Sequence, residues 1–174
     1  MKTVFVIFLA VVSVQSFAQN LSIRNSNVLA FGLPAYAASI SYLKGDEQGL
    51  AQLIQSEAVT LAAVEALKIS THRTRPDGTD DKSFPSAHTA VSFSAAQYLY
   101  MKGGWEYGVP AYLLAGYVGY ARVDAKKHYW SDVIAGGAIG AFTTYSLTDS
   151  VTGNRLSMSW FPGHANVVWQ KPLK

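Results

Sequence analysis

The 174-residue sequence predicts an all-α protein, a compact single-domain helical bundle of about five to six helices. Three observations lead there. Apolar residues recur at helical spacing along most of the chain, strand-like alternation is scarce, and clusters of turn-forming residues separate the periodic stretches.

Taken in order, the first element stands apart from the fold. Lys2 gives a positive start, Thr3 to Val14 an apolar run, and Ser16-Phe17-Ala18 a small-x-small cleavage site, so residues 1–18 read as a secretory signal peptide. The alternative is an uncleaved N-terminal anchor. Residues 19–152 are then one domain, expected outside the cytoplasm, periplasmic or on the outer face of the cytoplasmic membrane. Helices are predicted over Val28 to Leu43, Gly49 to Ser70, Ser86 to Met101, Tyr107 to Arg122 and Ser131 to Thr148. Lys44-Gly45-Asp46, Pro76-Asp77-Gly78 and Lys102-Gly103-Gly104 supply the stops between them. The second stretch mixes apolar positions with Gln52, Gln55, Glu57 and Glu65, as a half-buried helix of a soluble protein does. Three others are uncharged for 15 or 16 residues, below the roughly 20 that a spanning helix needs. A globular bundle is the expectation from these lengths, with membrane embedding as the alternative. Residues 153–174, with Trp160, Phe161 and Trp169, form a tail that packs on the bundle, makes a short hairpin or lies at a membrane surface.

Composition narrows the chemistry. With no cysteine there is no disulfide, thiol nucleophile or thiolate metal site. Without Lys2 the chain has 13 basic and 11 acidic residues, a balance with no footprint for nucleic acid. The cations are not evenly spread, however. Lys68, His72, Arg73 and Arg75 fall in one short stretch, and Arg122, Lys126, Lys127 and His128 in another. Such clusters suit an anionic ligand, and they equally suit a solvated basic face.

Individual residues sharpen the choice towards phosphate. Lys68, Arg75 and Arg122 are cations of the kinds that clamp a phosphoryl group, the guanidinium gripping two oxygens and the ammonium acting as a point charge. Ser86 immediately precedes a helix, where it serves as an N-cap and where the amides of Ala87 and His88 can face an anion. His88 lies in the same first turn, within reach of a leaving oxygen. His128 precedes Asp132 by four residues, a spacing that lets a carboxylate hold one ring nitrogen and make the other a better nucleophile. Taken singly, each has a plain alternative: a surface cation, a capping serine, a helix-terminal ion pair.

Together these residues form three ordered motifs: Lys68 with Arg75-Pro76 seven positions on, Pro85-Ser86-Ala87-His88, and Arg122 with His128 and Asp132. The set resembles the signature of the type 2 phosphatidic acid phosphatase (PAP2) family, Lys-x6-Arg-Pro, Pro-Ser-Gly-His and Ser-Arg-x5-His-x3-Asp. Ala87 stands where the family has Gly, and Ala121 where it has Ser. The resemblance implies a PAP2-type bundle and a phosphatase acting on a phosphomonoester or a lipid (di)phosphate. It also implies roles: His128 attacks phosphorus to form a phosphohistidine, Asp132 orients it, and His88 protonates the leaving group. Lys68, Arg75, Ser86, Ala87 and Arg122 hold the oxygens, and no metal or other cofactor takes part. The partner would be a phosphorylated small molecule or a lipid-linked phosphate at a membrane surface. A vanadium-dependent haloperoxidase of the same superfamily is the alternative chemistry, and a non-catalytic phosphate- or lipid-binding protein the alternative class. His72, Arg73, Asp80, Asp81 and His164 receive no role at this stage.

Overall fold

The computed structural model describes the backbone of residues 2–149, 155–161 and 164–170, and the side chains of residues 23–149. The order of elements is α1 (Lys2–Leu43), α2 (Glu47–Thr71), α3 (Ala87–Gly103), α4 (Trp105–Asp124), α5 (Trp130–Leu147), β1 (Arg155–Phe161) and β2 (His164–Gln170). The all-helical bundle expected from the periodicity is thus present among the described residues, and the tail adds an antiparallel hairpin in which Arg155 pairs with Gln170 and Phe161 with His164.

Local chemistry sets the boundaries. Gly45, at φ +68°, ends the first turn region, and the Asp46 side chain accepts the Gly49 amide at 2.8 Å to start α2. α2 stops at His72, which takes the left-handed conformation at φ 45° and donates its amide to the Lys68 carbonyl. This stop turns the chain sharply just after Lys68. α1 is longer than the predicted Val28 to Leu43 because no Gly or Pro interrupts the polar run Gln19 to Asn27, and Ser26 returns its hydroxyl to the Ile23 carbonyl.

α3 is the axis of the bundle and packs against each of the other four helices. Its buried positions are mostly small, among them Ala90, Ser92, Ser94, Ala95 and Ala96, which lets neighbouring backbones come close. The closest approach is to α5. A Cβ on Gly136 would stand 2.4 Å from the Ser86 carbonyl oxygen, and one on Gly140 would stand 2.0 Å from that of Ala90. These two glycines therefore set the α3–α5 spacing, and with it the separation of the second and third motifs. Hydroxyls buried by the close packing satisfy one another, as Ser94 with Thr144 at 2.8 Å and Ser41 with Tyr98 at 2.6 Å.

The outer surface is unusually apolar. Phe31 on α1, Ile54 on α2, Leu113 on α4, and Ile134 and Phe142 on α5 are each more than 60% exposed. α2, read from sequence as the helix of a soluble protein, is long and apolar enough to cross a membrane, and only 22% of its apolar window is buried. Its apolar residues lie largely on the outside, where Val59, Leu61, Leu67 and Ile69 face away from the core.

Candidate active site

All eight residues singled out from the sequence come from three segments that meet at one end of the bundle: the end of α2 with the following loop, the start of α3, and the α4–α5 turn. Backbone hydrogen bonds bind the segments together. The Ser86 amide donates to the Asp132 carbonyl at 3.0 Å, the Ser83 amide to that of Arg73 at 2.9 Å, and the Asp77 amide to that of Lys126 at 3.1 Å. The turn itself folds back on α4, since Lys127 and His128 both donate their amides to the Arg122 carbonyl. Lys126, at φ 55°, makes that reversal.

The cations cluster at this end, Lys68 lying within range of the Arg75 and Arg122 charges. Lys68 and Arg122 are 8% and 7% exposed, far more buried than such residues usually are. Arg122 donates Nη1 to Asn27 Oδ1 at 3.0 Å, while its buried Nε has no partner, a donor poised for an anion. Arg75 reaches the Lys127 carbonyl at 3.1 Å and lies 3.4 Å from His128 Nε2. Its Nε is held by the exposed Asp80 at 2.6 Å. Lys127 is turned outward into an ion pair with Asp77. His72, with its ring nitrogen 3.0 Å from Asp81, is likewise a surface pair.

Ser86 sits at the N-cap of α3 and is fully buried, yet its side chain makes no capping hydrogen bond. It accepts instead from the Thr89 hydroxyl at 2.9 Å. Ser86 thus holds the expected N-cap position without a capping bond: the hydroxyl is drawn aside and does not cover the amides of the first turn. Ala87 takes ordinary helical backbone as the first residue of α3, so the family's glycine is not required at this position.

The two histidines occupy different settings. His88 is partly buried, with Phe31 of α1 packed edge-on at 6.0 Å between ring centroids. Burial, then the charges of Arg122, Lys68 and Arg75, lower its pKa to about 4. His128 is 2% exposed, and burial followed by the Arg75 charge holds its pKa well below the usual histidine value. The opposing influences on it are the Ser83 carbonyl and Asp132. That both histidines sense Arg75 and Arg122 places them around one cationic centre.

The bonding of His128 differs from what the spacing predicts. Nδ1 lies 2.7 Å from the Ser83 carbonyl and 3.6 Å from Asp132 Oδ2, so the hydrogen bond goes to the carbonyl. A carbonyl only accepts, hence Nδ1 carries the proton and Nε2 keeps its lone pair. Asp132 is fully buried and serves as a hub: Oδ2 accepts from the Ser83 hydroxyl at 2.5 Å and the Tyr129 amide at 2.8 Å, while Oδ1 accepts from Arg73 at 2.7 Å. Ser83, Arg73 and Asn27 are site residues that sequence reasoning did not assign. Among the described residues, no three His, Asp or Glu side chains are grouped as a metal ligand set.

Comparison with known proteins places this arrangement. The chain is 36% identical over 105 residues to the lipid A 1-phosphatase of Porphyromonas gingivalis, covering 56% of this chain and 23% of that protein. It is 29% identical over 133 residues to the lipid A 4'-phosphatase of Helicobacter pylori, covering 70% and 67%. The chain thus spans less than a quarter of the first relative's length and two thirds of the second's. The crystal structure of Aquifex aeolicus LpxE has a similar fold, with a TM-score of 0.64 over 74% of this chain and 84% of that one, at 20% identity. The PAP2 superfamily model matches residues 49–156, which take in all but the first two residues of α2, the whole of α3 to α5 and all three motif segments, and the chain belongs to that superfamily.

Proposed function

We propose that the protein is a phosphatase that removes phosphate from a lipid-linked substrate through a phosphohistidine on His128, without a metal cofactor. The observation that carries this reading is the 2.7 Å contact between His128 Nδ1 and the Ser83 carbonyl, which assigns the proton to Nδ1 and leaves an Nε2 lone pair beside Arg75. Nε2 forms the bond to phosphorus as the ester P–O bond breaks. Lys68, Arg75 and Arg122 offset the charge on the three equatorial oxygens, together with the amides at the start of α3. The departing oxygen takes a proton from His88, whose protonated form a bound phosphate dianion favours by offsetting the neighbouring cations. Water, deprotonated by His88, then attacks phosphorus and restores the His128 lone pair. Asp132 balances the transient charge on the imidazole from 3.6 Å.

The relatives named for lipid A phosphatase activity support a lipid-borne phosphate, as does the apolar belt of the bundle. In this reading α2 crosses the membrane and the site end stands at its surface, outside the hydrocarbon. Export with residues 1–18 acting as the leader would put that surface outside the cytoplasm. Phosphate release in EDTA from lipid A, phosphatidic acid, a polyprenyl diphosphate and p-nitrophenyl phosphate tests it. Faster turnover of a lipid phosphate, with vanadate inhibiting, is expected. Activity on the soluble ester alone would remove the lipid substrate, and vanadate-dependent halide oxidation would replace the phosphatase with a haloperoxidase.

A further inference from the structure

Arg73 belongs to none of the three motifs, and its contacts set it apart from the phosphate-facing cations. Its Nη1 donates to Asp132 Oδ1 and to the Ser131 hydroxyl, both at 2.7 Å, and its guanidinium lies 4.2 Å from the centre of the Tyr129 ring. All three partners lie at the start of α5, on the carboxylate side of the nucleophile. The side chain is therefore engaged by the residues behind His128.

A buried carboxylate needs a cation or several donors to offset its desolvation. Asp132 is fully buried, and His128, the partner expected from spacing, gives its Nδ1 proton to Ser83 instead. Arg73 supplies the cation. The remaining Asp132 oxygen is then free to hold the Ser83 hydroxyl and the Tyr129 amide. Arg73 also holds Ser83 from the other side, since its carbonyl accepts the Ser83 amide at 2.9 Å. Ser83 is thus fixed through both hydroxyl and amide, which aims its carbonyl at Nδ1.

We propose that Arg73 is a positioning residue for the nucleophile: it occupies Asp132, the two together fix Ser83, and the Ser83 carbonyl fixes the orientation of the His128 ring through Nδ1–H. The proposal rests on the phosphatase reading for its kinetic consequences, and on geometry alone for the hydrogen bond that orients His128. Without Arg73, the Asp132 carboxylate is unbalanced and competes with Ser83 for Nδ1–H. The ring then tilts away from phosphorus and becomes more basic. The charged groups facing His128 are Arg75 from the loop after α2, Arg122 from α4 and Asp132 from α5, and of these only Asp132 changes its pairing in the variant.

The test uses the full chain in detergent, as wild type, Arg73→Ala and Arg73→Lys, with two readouts. For phosphate release, Arg73→Ala lowers kcat about tenfold to a hundredfold, the cost of a misplaced reacting group, with KM changed less than about twofold. The acid limb of its pH–rate profile moves to higher pH, and Arg73→Lys restores part of kcat. For the hydrogen bond, nitrogen-15 histidine spectra, with His128 assigned from a His128→Ala sample, show protonated Nδ1 and unprotonated Nε2 in the wild type; Arg73→Ala keeps that tautomer, since carbonyl and carboxylate both accept from Nδ1–H, but its Nδ1–H signal moves and its Nε2 takes up a proton at higher pH. A raised KM at unchanged kcat would make Arg73 a phosphate ligand, and unchanged spectra and pH profile would make it a surface residue; either overturns the proposal. If the wild type releases no phosphate while Arg73→Ala still shifts the Nδ1–H signal and the Nε2 titration, positioning stands and the phosphatase reading fails. Should Arg73→Ala not fold, Ser83→Ala, which keeps the carbonyl but drops the bond to Asp132, carries the same test with a smaller loss of kcat.

Discussion

The α3–α5 seam and the motif loops at its end are built by opposite means. In the seam, backbones touch: Gly136 and Gly140 leave no room for a methyl group against the carbonyls of Ser86 and Ala90. In the loops position is set by directed polar contacts, with Asp132, Ser83, Arg73 and His128 linked by bonds of 2.5 to 2.7 Å. The difference teaches that location and orientation have separate sources here. The seam brings the second and third motifs together, and the loop network decides which way each side chain points.

The largest effect that sharpens this division is expected among the clustered cations. Arg75→Ala removes a cation beside His128 Nε2, and kcat/KM should fall by about a hundredfold to a thousandfold while the thermal midpoint moves little. A loss of folding with it would merge the two roles. Next comes the seam. Gly140→Ala forces a methyl group against backbone atoms that cannot swing aside, so stability should fall by about 1–3 kcal/mol in chemical denaturation. Its kcat should drop less than that of Arg75→Ala. Unchanged stability would show that the helices separate freely and that the seam does not set the spacing.

Smaller still is the effect of pH on the folded state. His88 titrates at about 4 in the folded protein and near 6.5 in the unfolded chain, so the unfolded chain binds its proton first as pH falls. Stability should therefore decline between about pH 6.5 and 4, and His88→Gln should flatten part of that slope in denaturation curves. A slope that steepens in the variant would contradict the cationic setting of His88.

Much of this was legible in the sequence. Apolar periodicity located all five helices, and Lys68, Arg75, Ser86, Ala87, His88, Arg122, His128 and Asp132 do converge at one end. What escaped was the set of contacts that no spacing rule encodes. Asn27 meets Arg122 from α1, 95 residues away, and Ser83 meets His128 through a backbone carbonyl, which every residue type carries. Arg73 was visible only as one cation in a cluster. The His128–Asp132 spacing correctly put the pair together, but a four-residue separation cannot show that a third group will take the hydrogen bond. The apolar exterior was underestimated for a similar reason: Glu57, Glu65 and the glutamines made α2 read as half-buried, and sequence alone did not show how much of its apolar surface faces outward.

In the proposed function His128 is the nucleophile. Initial rates of phosphate release from lipid phosphate in mixed micelles with EDTA, for the wild type and a folded His128→Ala variant, test it most directly. Turnover by the wild type and a loss of at least about a thousandfold in the variant are expected, the scale of removing a group that bonds to phosphorus. A variant that retains activity within about tenfold would contradict it, because phosphate would then be leaving without passing through this histidine.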